Sequence, residues 1–211
     1  MTRESSNRLA QPQSTARKRL LLSPVNLWDD GSPRCEGDSA TLPPMPDDHG
    51  EPPATRPWRT AYDASVTREE HRRLGVALFN RVWELLERAD RSPAEVDEMI
   101  HAAHASRYHW GEAGTAVNLA RGEWQCSRVY AVLARAEPSL WHAQRCLELM
   151  QAATEAEDWD LPFAYEALAR AHGVAGDAEA SARYRRLAER SGESIVDPDD
   201  RELLEAALAT L

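Results

Sequence analysis

The sequence predicts an all-α protein, a short stack of antiparallel helix hairpins following a proline-rich tail. Two observations carry that expectation. From about residue 66 onward apolar residues recur at helical spacing, and no segment alternates with period two over a useful length. A third sets the boundary: of 13 prolines, only Pro93, Pro138, Pro162 and Pro198 follow residue 60.

Residues 1–60 read as a disordered tail. Stretches such as Pro43-Pro44-Met45-Pro46-Asp47-Asp48 offer too little apolar periodicity for burial to offset the entropy of ordering. The tail is either a flexible docking segment or the product of an early translation start, and we favour a segment the fold does not need. Basic and acidic side chains balance within it, so the formal charge of −10 sits on residues 61–211, the expected folded domain.

Seven helices are expected there. The first runs from about Thr67 to Ala89, with Gly75, Phe79, Val82 and Leu86 on one face. Ser92-Pro93-Ala94-Glu95 restarts the chain as a capping box, with proline where its missing N–H costs nothing. The second helix carries Val96, Ile100, Ala103 and Arg107 and stops after Trp110, at Gly111 and Gly114. A third spans about Thr115 to Arg135, with Cys126, Val129, Tyr130 and Leu133 inward. Pro138 opens a fourth, whose seam is Leu140, Ala143, Leu147 and Met150. The fifth begins near Pro162 and ends by Gly176, and the sixth spans Ala178 to Arg190. Asp197-Pro198-Asp199-Asp200 starts the seventh, since Asp caps and extra carboxylates favour the positive end of the helix dipole.

Composition excludes several classes of function. No apolar run approaches the roughly 20 residues that span a bilayer, and Leu20 to Leu22 behind Arg17-Lys18-Arg19 falls short of a signal peptide, so a cytoplasmic protein without membrane association is expected. The acidic domain would repel a phosphate backbone, which argues against nucleic acid. Cys35, Cys126 and Cys146 match no zinc or disulfide framework, and the last two read as small buried hydrophobes. Lys18 is the single lysine and alanine is abundant, a bias that points to a GC-rich bacterial genome rather than to a task.

The third and fourth helices superpose on the fifth and sixth at an offset of 42 residues, placing Cys126 on Leu168, Ser127 on Ala169, Tyr130 on His172, Ser139 on Ser181 and Cys146 on Ala188. Small residues coincide, as close approach of paired helices requires. The segment Tyr165-Glu166-Ala167-Leu168-Ala169-Arg170-Ala171-His172, followed by Gly176-Asp177, resembles a tetratricopeptide repeat. Tyr165, Leu168, Ala169 and His172 stand at that family's first-helix positions, Gly176-Asp177 at its turn, and Ser181 and Ala188 at the small positions of its second helix. The preceding copy departs from the pattern at Glu123, where an aromatic is usual, and at Ala134, where glycine is. Both copies exceed the usual length of about 34 residues and look like the expanded repeats of bacterial regulators and scaffolds. Over residues 70–192 the resemblance implies a right-handed solenoid, with the first two helices as a divergent copy and the last helix as a cap.

It also implies a binding groove along the first helix of each hairpin, lined by Arg121, Trp124, Gln125 and Arg128 from one copy and Glu166 and Arg170 from the next. Three arginines there would suit a carboxylate, or else would pair with the protein's own acids. The expectation is a non-enzymatic adaptor for a protein or peptide, without cofactor or metal. Two alternatives stand beside it: a regulatory domain that senses a small molecule in the same groove, and a metal-dependent enzyme built on Asp97, His101 and His104, with Tyr108 on the same face. The metal reading is weak, since one helix supplies only part of a coordination sphere. Trp110, Trp124 and Trp141 read as packing residues and His172 as a core histidine.

Overall fold

The computed structural model describes residues 66–211, so the tail expected over 1–60 lies outside the described residues. Among them are seven helices and no strand: α1 (Arg68–Leu86), α2 (Pro93–Ala113), α3 (Ala116–Val132), α4 (Ala136–Ala152), α5 (Asp160–Val174), α6 (Ala178–Gly192) and α7 (Pro198–Leu208). None is long and apolar enough to cross a membrane.

Local chemistry starts most of them. Thr67 with Glu70, Ser92 with Glu95 and Thr115 with Asn118 form reciprocal capping boxes at α1, α2 and α3, and Asp177 and Asp197 cap α6 and α7. Several ends differ from expectation, α1 stopping at Leu86 rather than Ala89. Helix α2 runs through Gly111 and stops at Gly114, where a Cβ would stand 2.7 Å from the Trp110 carbonyl oxygen; an interior glycine costs only about 1 kcal/mol, which the packing of buried Trp110 offsets. Helix α3 ends at Val132 rather than Arg135, because Ala134 turns left-handed with φ 54°. Helices α4 and α5 start two residues before Pro138 and Pro162, which leaves each proline in the first turn, where its missing N–H is harmless.

Consecutive helices pack in pairs, α1 with α2, α3 with α4 and α5 with α6, while α3 also touches α1 and α5, and α7 closes on α5 and α6. Small side chains set the approach. The Ser127 and Ser139 hydroxyls each donate to the other's carbonyl oxygen, at 3.0 and 3.1 Å, locking α3 to α4. Gly75 lies where a Cβ would come within 3.0 Å of the Trp110 indole, and the Ser106 hydroxyl donates to the Gly75 carbonyl.

Phe79, Trp110 and Trp124 belong to a core that continues through Ala143, Leu147, Phe163 and Leu168 to Ile195, Leu204 and Leu208. A smaller cluster of Val82, Leu85, Met99, Ala103, Cys126 and Val129 fills the space among α1, α2 and α3. Cys126 and Cys146 are buried free thiols, as expected. Trp141 is not a packing residue: it is 64% exposed on α4, on the side away from the buried seam that Ala143, Leu147 and Met150 form.

The 42-residue offset reappears in the backbone. Ala134 and Gly176 are the two described residues with positive φ, and both sit in the same double hydrogen-bonded helix end. Arg135 N–H donates to the Tyr130 carbonyl and Ala134 N–H to that of Ala131; Asp177 and Gly176 donate to those of His172 and Gly173. The aromatic pairs follow the same register. Tyr130 stacks on His142 at 6° and His172 on Tyr184 at 16°, the two ring types having exchanged helices between copies. His172 is thus half-buried against Tyr184 rather than enclosed in the core.

Candidate functional site

The six residues assigned to a groove lie on α3 and α5, and each of them except Trp124 has at least one polar atom engaged within the protein. Arg121, one turn before Gln125 on α3, donates through two nitrogens to the Asp160 carboxylate at 2.8 and 2.9 Å, and both side chains are buried. The Asp160 carboxylate also accepts the Glu157 N–H at 2.9 Å, and the Arg121 guanidinium lies 4.2 Å over the Trp159 ring. Trp124 is buried between Trp83 and Phe163. Gln125 is fully buried and donates to the Phe79 carbonyl at 2.9 Å, which ties α3 to α1. Arg121, Trp124 and Gln125 therefore join helices together rather than line an open surface.

Arg128 and Arg170 are different. They occupy equivalent positions in the two copies, and both donate to the same Glu166 oxygen, Arg128 at 3.0 Å and Arg170 at 2.7 and 2.5 Å. Glu166 is fully buried, and its other carboxylate oxygen has no hydrogen-bond partner. Arg170 Nη2 also donates to the Ala207 carbonyl and lies 2.8 Å from the Thr210 hydroxyl, tying α5 to the C-terminal end of α7. Arg128 spends one nitrogen on Glu166 and keeps part of its side chain at the surface. Two guanidiniums thus share one carboxylate, which leaves a surplus positive charge. Burial lowers the Arg128 pKa from its ordinary value; Glu166 opposes that shift and Arg170 adds to it.

A second polar cluster lies at the junction of α2, α3 and α4. His142 Nδ1 is 2.6 Å from Glu123 Oε2, and Arg107 Nε donates to Glu123 Oε1 at 2.7 Å. His104 Nε2 is 2.9 Å from the Tyr130 hydroxyl, and its ring lies 5.2 Å from that of His142. Cys126 closes the back of this cluster. Burial alone would raise the Glu123 carboxyl; the bonds from His142 and Arg107 outweigh it and hold it below the usual carboxylate range. Burial pushes the Cys126 thiol well above its ordinary value.

The set Asp97, His101, His104 and Tyr108 does not assemble here. Asp97, His101 and Tyr108 are exposed on α2, while His104 turns toward α3 and α4. Sequence reasoning missed Asp160, Glu123, Cys126 and His142 as members of polar sites. The signal for His142 was present in the repeat: it stands 42 residues before Tyr184, as Tyr130 stands before His172. Comparison of the chain with protein families, with curated proteins and with solved structures finds no match.

Proposed function

We propose that the chain is a non-enzymatic helical-repeat adaptor that binds an acidic group of a protein or peptide partner at Arg128. The observation that carries this reading is the shared carboxylate: Arg128 and Arg170 converge on Glu166, so one positive charge remains uncompensated, and the Arg128 side chain is partly exposed. A planar, always-charged donor fork with spare N–H groups suits a carboxylate. The register of the α3-to-α4 and α5-to-α6 turns at Ala134 and Gly176, and the contact of α3 with both α1 and α5, support a solenoid stacked as in tetratricopeptide repeats. In that reading Arg121, Trp124, Gln125, Glu166 and Arg170 hold the helices together and position Arg128, which meets the partner.

Affinity capture with the full chain, beside Arg128→Gln and Arg128→Glu variants whose folding is verified by circular dichroism, tests this. A partner retained by the parent chain should be weakened by Gln and lost with Glu. Retention of every partner by both folded variants would remove Arg128 from the interface and overturn the reading.

A further inference from the structure

We propose that His104, Cys126 and His142 form a binding site for a single borderline-soft transition-metal ion of the Zn²⁺ class, joining α2, α3 and α4. One ligand atom from each of the three residues lies within 4.8 Å of the others. Zinc bonds of about 2.0–2.1 Å to nitrogen and 2.3 Å to sulfur set ligand atoms roughly 3.3–3.6 Å apart in a tetrahedron. Closing the site therefore takes about 1 Å of side-chain adjustment, within the reach of rotamer changes at His104, which is exposed.

The surroundings are those of a metal site rather than a chance meeting of three side chains. A ligating imidazole ordinarily gives its second nitrogen to a carboxylate or another fixed polar group, which sets its tautomer and orientation. Each imidazole here has one nitrogen so engaged, His142 with Glu123 and His104 with the Tyr130 hydroxyl. Glu123 is itself fixed by Arg107. The ligand set chooses the metal: two imidazoles and a thiolate, formed as Cys126 gives up its proton to solvent on binding, favour zinc or cobalt over magnesium or calcium, which prefer oxygen. Three protein ligands leave a fourth position, and exposed His104 gives the ion its way in while buried Cys126 forms the floor. The three ligands come from the first two hairpins, so an ion would fasten one to the other. The Arg128 reading does not depend on it.

The test is titration of the reduced full chain with Co²⁺ and then Zn²⁺, followed by absorption spectroscopy. Saturation at one ion per chain is expected, with a sulfur-to-cobalt charge-transfer band and the intense visible bands of tetrahedral cobalt, both abolished by Zn²⁺. Cys126→Ala should lose the charge-transfer band, and His104→Ala should weaken binding at least tenfold. Because Cys126 is buried, folding of each variant is checked by circular dichroism; exposed His104 keeps the test decisive if Cys126→Ala fails to fold. Absence of saturable binding would overturn the proposal, as would a cobalt spectrum that His104→Ala leaves unchanged.

Discussion

His71 and His109 bring their Nδ1 atoms within 2.8 Å across α1 and α2, a contact that works only while one ring donates and the other accepts. A proton on the accepting nitrogen would set two N–H groups against each other. Burial, followed by the nearness of His71, lowers the His109 pKa, with Glu112 opposing. His104 is lowered as well, first by burial and then by His142. A histidine whose folded pKa lies below its unfolded value of about 6.5 leaves the unfolded chain to take up the proton first. Its contribution to stability is therefore complete above about pH 6.5 and is lost as pH falls through the folded value. Urea denaturation at pH 7 and pH 5.5 should show the parent chain losing more stability than His109→Gln. Equal losses would mean the pair does not titrate on folding. A larger effect is expected at Asp160. Asp160→Asn breaks the buried ion pair with Arg121, which should cost about 3–5 kcal/mol in chemical denaturation.

Between helices, the two copies of the hairpin turn invite a direct comparison. Gly176 adopts φ 78° at no steric cost, whereas Ala134 holds φ 54° with a Cβ that resists it. Ala134→Gly should stabilise the protein by about 0.5–1 kcal/mol, and Gly176→Ala should destabilise it by about 1 kcal/mol. Opposite signs at equivalent positions would be read as shifts of the urea midpoint at constant slope. Elements were the most legible part of the sequence, because capping residues and apolar spacing act locally. Ser92-Pro93-Ala94-Glu95 and Asp197-Pro198 mark helix starts where the structure has them. The ends of α2 and α3 were not legible in the same way. Whether a glycine stops a helix or is carried through depends on what packs beside it, here Trp110, and a left-handed alanine has no signature in composition. The polar sites were legible only as residue types. Arginines on α3 and α5 were foreseeable from the repeat, and Arg170 meets Glu166 one turn away, but Arg121 and Arg128 meet Asp160 and Glu166 across 39 and 38 positions of chain, and a pairing of that range is set by packing alone.

At the scale of the molecule, α7 matters more than its length suggests. Its Leu204 and Leu208 are buried in the same core as Phe163 and Leu168, and a Cβ on Gly192 would collide with the Leu204 side chain. Leu204→Ala should cost about 2–5 kcal/mol and broaden protection loss in α5 and α6 by hydrogen exchange, rather than fraying α7 alone.

The bonds that α3 makes in both directions have a mechanical consequence. Gln125 fastens it to α1, Arg121 and Arg128 fasten it to α5, and each bond runs from helix to helix rather than along one. Apolar burial is non-directional and by itself sets little of the angle between two packed helices. Directional bonds to a central helix add stiffness and make it the pivot about which both flanking pairs must bend. Pulled from its ends, such a chain would yield first at its outer helices and last at α3, giving a short plateau followed by one abrupt rupture in a force trace.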